Sequence, residues 1–223
     1  MKKILLSALV LGTLAATSVH AGEKCGELLP KGMKFSKDCL SIINEDQVNL
    51  YRDFPAINND GTVTAVIEIP AGTNAKWETD PATGTLAWEV KNGLPRMIKF
   101  LGYAGNYGMI PRTVGGDGDP LDILVIGGQQ LRGTVSHVKL IGAIKLDESG
   151  NRDDKLIAVL PGSPLDVAGI NTISALDAKY PGIKTVIETW FTSYKGPGEM
   201  ISLGFAEIDE TKEILEAAVA NYR

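Results

Sequence analysis

Three carboxylates fall within six residues at Asp117-Gly118-Asp119-Pro120-Leu121-Asp122, directly ahead of the apolar run Ile123-Leu124-Val125-Ile126. Like charges this close repel, so the fold must either spread them into water or gather them around a cation. In extended chain Asp117 and Asp119 project to the same side, and Pro120 bends the path so that Asp122 rejoins them as the strand begins. Three hard oxygen donors on so small a volume suit Mg2+, Mn2+ or Ca2+. The calcium helix-loop-helix pattern fails, because its ligand position 5 falls on Leu121, its glycine on Asp122 and its final glutamate on Gly128. A solvated acidic turn is the competing reading of the hexapeptide taken alone.

What else the chain can bring to such a site is set by its first residues. Met1-Lys2-Lys3 is basic, Ile4 to Ala16 is almost wholly apolar, and Val19-His20-Ala21 has the small-x-small form of a cleavage site. Residues 1–21 are expected to be a secretory signal cut after Ala21, which places the mature protein in the periplasm. The apolar run is shorter than the roughly 20 residues of a spanning helix, and no later segment is long and apolar enough to anchor the chain in a membrane. Loss of the leader removes Lys2 and Lys3 and leaves 20 basic against 27 acidic side chains. That balance disfavours nucleic-acid binding, which runs on an excess of Lys and Arg.

The leader also takes His20, so His137 is the one histidine expected in the mature chain. A multi-histidine zinc site is thereby excluded, and a Ser-His-Asp triad would need His137, which lies in the strand-like run Val135 to Leu140. Carboxylates, lysines and tyrosines must do the chemistry. The two cysteines, Cys25 and Cys39, read as a disulfide in an oxidising compartment, and closing a loop of about 15 residues contributes on the order of 3 kcal/mol.

Residues 22–58 show no clear periodicity and read as an N-terminal extension. Strand signals follow at Val63–Ile69, Leu86–Val90, Leu121–Ile126, Val135–Leu146 and Lys155–Leu160. Helical patterns come late, over Thr172–Tyr180 and Lys184–Tyr194, and then from Asp209 as an N-cap with Ile214, Leu215, Ala218, Val219 and Tyr222 on one face. Strands first and helices last predict an α+β domain, a curved or closed sheet with helices outside.

Three further groups join the hexapeptide. "KLDESGNRDDK" carries Asp147, Asp153 and Lys155 around a turn, "EIPAGTNAKWE" carries Glu68, Lys76 and Glu78, and "WFTSYK" places Tyr194 and Lys195 at a helix end. Carboxylates that hold divalent ions, beside lysine and tyrosine donors for phosphate oxygens, make up a multi-metal phosphate site.

With "GYAGNYGMIPRT" and "GGDGDPLDILVIG" in their places between these, the five motifs in this order resemble family I soluble inorganic pyrophosphatases, whose signature is D-[SGDN]-D-[PE]-[LIVMF]-D. The resemblance runs from about Asp60 to the C-terminus, so residues 59–223 are expected to be the pyrophosphatase domain. It implies a five-stranded, OB-like closed β-barrel with helices packed outside, and Mg2+-dependent hydrolysis of pyrophosphate to two phosphates. By the same resemblance Asp117, Asp119, Asp122, Asp147 and Asp153 are metal ligands, and Asp119 is also the general base. Glu68 supports the site with Glu78 nearby, and Lys76, Tyr107, Lys155, Tyr194 and Lys195 hold the phosphoryl groups beside Tyr103. The expected partners are pyrophosphate and further copies of the chain.

The chain departs from the family at three places. Where the family has an arginine for the leaving phosphate, "WEVKNGLPRMIKFLGY" offers Lys91, with Arg96 inside an insertion of four or five residues. The turn between Asp147 and Asp153 is one residue longer, which leaves Glu148 as an alternative to Asp147. A lysine that often follows the Tyr-Lys pair is missing from "GPGEM". Two other readings stay open on these grounds: a catalytically weak phosphate- or metal-binding module, and a phosphatase for another phosphoanhydride.

Overall fold

The computed structural model describes residues 25–222, so the expected leader lies outside the described residues. The N-terminal segment forms two short strands, β1 (Met33–Phe35) and β2 (Ser41–Asn44), where no periodicity announces any. Next come β3 (Val63–Ile69), β4 (Trp77–Thr79), β5 (Leu86–Trp88) and a small hairpin of β6 (Val90–Lys91) and β7 (Leu94–Pro95). Strands β8 (Asn106–Met109), β9 (Asp122–Ile126), β10 (Val135–Glu148), β11 (Asn151–Arg152) and β12 (Lys155–Val159) follow. Helices α1 (Pro164–Val167), α2 (Ile173–Lys179) and α3 (Ile183–Ser193) precede β13 (Ile201–Ala206) and the last helix, α4 (Ile208–Asn221). The class is α+β, and among the described residues no helix is long and apolar enough to cross a membrane.

Pairing runs from β3 to β8, β9, β12 and β10, and β10 then pairs with β3, so the circuit of hydrogen bonds returns to its start. Within it only β9 and β12 run parallel. The length of β10 makes the return possible: Val135–Val138 bond to β3, while Lys139–Ile144 bond to β12. Side chains alternate between two apolar clusters with period two. Leu124, Ile126, Ile157 and Val159 pack with Ile173, Leu176, Ile187, Trp190 and Phe191 of α2 and α3. Ile123, Val125, Leu156 and Ala158 pack with Leu215 and Ala218 of α4. Both faces are covered, which is why β3, β9 and β12 are mostly apolar, with Thr64, Glu68, Asp122 and Lys155 as their polar members.

Gly108 lets β8 close on β3, since a Cβ there would lie 1.8 Å from the Val66 carbonyl oxygen. Gly108→Ala is expected to lower stability by roughly 1–3 kcal/mol as the strands part to admit the methyl group, read as a lower urea midpoint.

The N-terminal segment is stitched onto this body. β2 pairs with β5, giving a second sheet of order β1-β2-β5-β4, and Ile42, Leu50 and Tyr51 pack with Trp77, Leu86, Val66 and Met109. Cys25 and Cys39 are joined by a disulfide with their Cα atoms 5.6 Å apart. At the other end, Thr172 caps α2 by accepting the Ala175 N–H. The expected cap at Asp209 is corrected: Glu207 is the N-cap of α4, and Asp209 sits in the first turn, where its charge favours the positive helix end.

Candidate active site

A cleft of about 330 Å³ opens where β3, β4, β8, β9, β12 and the C-terminal end of α3 meet. The acidic hexapeptide forms one wall, and it is a tight turn rather than extended chain. Gly118 takes φ +93°, a left-handed conformation that glycine adopts without strain. The Asp119 N–H then donates to Asp117 Oδ1 at 3.1 Å, and the Gly115 N–H to the Asp119 carbonyl at 2.7 Å. Asp117 and Asp119 therefore reach the cleft by the turn, not by strand alternation. Asp122 opens β9 directly opposite Lys155 in the parallel register.

Lys155 is buried, and its ammonium donates to the carboxylates of both Asp122 and Asp153. Burial alone would lower its pKa, but the two carboxylates more than offset this and hold it well above the usual lysine value. Two cations stand over the ring of Tyr107, with Lys76 Nζ 5.5 Å and Lys155 Nζ 6.0 Å from its centroid. Lys76 also pairs with Glu78 at 2.7 Å. From α3, Trp190 stacks on Tyr194 at 4.7 Å between centroids, which sets the tyrosine at the cleft edge beside Lys195.

Charge is the dominant property of the cleft. Nine carboxylates line it against four cationic side chains, Lys76, Arg96, Lys155 and Lys195. Partial burial together with the neighbouring Asp153 pushes Asp117 up to about 6. Burial and the charges of Glu78, Asp122 and Asp153 raise Asp119 as well. Glu68 is buried at a kink of β3 and accepts the Thr79 N–H at 2.6 Å, yet burial and Asp122 push it up to about 8.

That shift carries a sign. Between the ordinary value of 4.5 and about 8 the folded protein holds a proton at Glu68 that the unfolded chain has released. Metal-free protein therefore loses stability as pH rises through this window, with no further change above it. Glu68→Gln is expected to flatten that slope, as measured by thermal midpoints across the range.

Eleven residues anticipated for the site line this one cleft: Glu68, Lys76, Glu78, Tyr107, Asp117, Asp119, Asp122, Asp153, Lys155, Tyr194 and Lys195. Tyr103 lies behind it, with its ring 4.8 Å from that of Tyr107. Lys91 and Asp147 are not among the lining residues. Lys91 is exposed in β6, and the hairpin that follows returns the chain so that Arg96 lines the cleft instead. The Arg96 carbonyl accepts from the Lys76 N–H and from Trp88 Nε1, each at 3.0 Å, and its guanidinium pairs with Glu89 at 2.6 Å. Asp147 is bound into the β10–β11 turn by the Gly150 N–H at 2.8 Å. Its neighbour Glu148 faces the cleft and accepts from Lys195. His137 is exposed on β10, outside the cleft.

Asp80 and Glu89 also line the cleft and were not anticipated. Asp80 follows Glu78 at strand period, a signal the sequence does carry, whereas Glu89 is placed only by its pairing with Arg96. Among the described residues no three such side chains stand together as a ready-made cation cage. Asp122 and Asp153 are turned onto Lys155 instead. The donor set nonetheless fits a hard divalent ion, being all carboxylate oxygen with neither histidine nor thiolate.

The family model for inorganic pyrophosphatase matches residues 65–223. An inorganic pyrophosphatase of Campylobacter jejuni is 33% identical over 165 residues, covering 72% of this chain and 92% of that protein. The mitochondrial inorganic pyrophosphatase of Saccharomyces cerevisiae is 28% identical over 197 residues, covering 76% of this chain and 63% of its own longer length. Among solved structures, the inorganic pyrophosphatase of Helicobacter pylori aligns with a TM-score of 0.66 at 26% identity, over 77% of this chain and 99% of that one.

Proposed function

The chain belongs to the inorganic pyrophosphatase family, and on that premise we propose that its cleft hydrolyses pyrophosphate to two phosphates with Mg2+ as the ion its carboxylates hold. The observation that carries this reading is the excess of negative charge: nine carboxylates against four cations would repel a polyanion unless divalent ions filled the cleft with it. Asp117, Asp119, Asp122 and Asp153 are the ligands assigned, with Glu148 in the place first expected for Asp147. Bound there, Mg2+ lowers the pKa of water and neutralises charge on the phosphates.

The side chains of this protein do the rest. Lys76, Lys155 and Lys195 offer ammonium donors to the phosphate oxygens, and Tyr107 and Tyr194 offer hydroxyls. Asp119 accepts the proton of the attacking water at its carboxylate. As the new P–O bond forms, the bond to the bridging oxygen breaks, and the second phosphate leaves with that electron pair toward Arg96. A guanidinium holds two phosphate oxygens at once, which the ammonium of Lys91 could not do.

Phosphate release from pyrophosphate tests both the activity and this assignment. Wild type is expected to turn over in Mg2+, Arg96→Ala to lose roughly tenfold or more, and Lys91→Ala to match wild type. No release from folded, Mg2+-loaded wild type would overturn the hydrolytic reading.

Three finer readings belong with it. The closed circuit of five strands is read as an OB-like barrel. The chain is read as an exported, periplasmic member of the family, supported by the Cys25–Cys39 bond, since disulfides persist in oxidising compartments. A homo-oligomer is the expected state, for which exposed Leu94, Met97 and Leu101 offer apolar surface.

A further inference from the structure

Arg132 is among the most deeply buried side chains, at 2% exposure, and it takes no part in the chemistry described above. A buried cation is costly unless it is paired and hydrogen-bonded. Here the partners come from three separate parts of the chain. Its Nη1 donates to the backbone carbonyl of Glu68. Its Nε lies 3.2 Å from Glu27 Oε1. Its guanidinium carbon lies 4.8 Å from the centroid of the Trp77 ring.

Each contact bears on Glu68. The β3–β8 register shifts between Ile67 and Ile69, so Glu68 sits at an irregularity of the ladder, and Arg132 satisfies its carbonyl there. The same loop is bonded to the preceding residue, with the Gly133 N–H donating to the Ile67 carbonyl at 2.7 Å and the Ile67 N–H to Thr134 at 2.9 Å. Trp77 belongs to β4, whose Thr79 N–H holds the Glu68 carboxyl. Glu27 lies between Cys25 and Cys39, so the disulfide restrains the segment that supplies the counter-charge.

We propose that Arg132 is a positioning residue for the hydrolytic site, held by Glu27 of the disulfide-closed segment and acting through Glu68. The guanidinium clamps the kinked strand by its carbonyl and rests on the strand that bonds the carboxyl, so Glu68 enters the cleft at one fixed angle. The N-terminal segment thereby becomes part of the catalytic apparatus although none of its residues lines the cleft. Removing Glu27 leaves a buried positive charge without its anion, and the clamp then relaxes toward water.

The proposal rests on the pyrophosphatase reading for its kinetic arm, and a second readout stands apart from activity. Arg132→Met, Glu27→Gln and the Cys25→Ser/Cys39→Ser pair are compared with wild type, each confirmed folded by circular dichroism. In steady-state hydrolysis kcat is expected to fall roughly 10–100-fold for Arg132→Met and less for the other two. KM for pyrophosphate should stay near wild type, because the phosphate donors lie on other elements. Arg132→Lys should recover part of the loss. Adding Glu68→Gln to Arg132→Met should cost little more, since both changes remove one function. Hydrogen exchange at the Thr79 amide should quicken in Arg132→Met and Glu27→Gln, whether or not pyrophosphate is a substrate. If Arg132→Met does not fold, Glu27→Gln, altered at a part-exposed carboxylate, carries both readouts. Unchanged kcat together with unchanged Thr79 exchange, or full additivity with Glu68→Gln, would overturn the proposal. An inactive wild type whose Thr79 exchange still responds would sink the hydrolytic reading and leave the positioning intact.

Discussion

Asp119→Asn is expected to release phosphate roughly 10²–10⁴-fold more slowly than wild type while unfolding at the same temperature. The substitution keeps the shape of the side chain and removes its basicity. It also spares the turn, because the bond that holds the turn is donated by the backbone of residue 119 to Asp117. The side chain itself is exposed at the loop tip, so little packing is disturbed. Burial and the neighbouring carboxylates, which repel its ionised form, raise its pKa, and the neutral amide feels no such repulsion. A rate equal to wild type in the folded variant would move the proton acceptor elsewhere, with Glu68 the next group to test. Asp147→Asn serves as the contrast, since its carboxylate is engaged by Gly150 in the β10–β11 turn.

Removal of divalent ions with EDTA is expected to abolish phosphate release, and calorimetry should show pyrophosphate binding lost along with it. Affinity is lost, and not rate alone, because of the charge excess in the cleft. Four cations cannot neutralise nine carboxylates and a polyanion together, and two of those carboxylates already occupy Lys155. Returning Mg2+ should restore both signals and raise the thermal midpoint. An ion present at a hundred times its dissociation constant stabilises the folded state by about 2.7 kcal/mol. Tight pyrophosphate binding in EDTA would mean that the cationic side chains suffice, and the assignment of the acidic turn to an ion would fall.

Much of this arrangement was legible in the residues. The mostly apolar, β-branched stretches Val63–Ile69 and Lys155–Val159 announced their strands because both faces of each are covered, and Thr172 announced its helix by a cap. The short strands were not legible. β1 and β2 gain their stability from β5, more than 40 positions away, and nothing local marks them. Arg96 and Glu148 stood in the sequence as alternatives to Lys91 and Asp147, and the two irregular turns that carry these pairs are what left the choice open. The family resemblance put Lys91 at the arginine position with Arg96 in the insertion beside it, and the β6–β7 hairpin turns the chain so that Arg96 is the one lining the cleft. Strand alternation gives one of Asp147 and Glu148 to the cleft, and in the folded chain it is Glu148. The contact between Glu27 and Arg132 spans 105 positions and leaves no trace in either neighbourhood.

The seam between β3 and β10, where Val66 meets Val135, joins strands roughly 70 positions apart in the chain. Glu68 lies on one side of that seam, while Lys155, Tyr194 and Lys195 all follow β10 in the chain. A growing or truncated chain that stops short of the second group lacks three of the phosphate donors, and with them the complete cleft. A collapsed state that lacks the seam does not hold carboxylates and donors in register. The acidic turn alone is only a patch of repelling charge. Turnover is thus a property of the finished molecule, and it begins wherever folding is completed, in whichever compartment that happens.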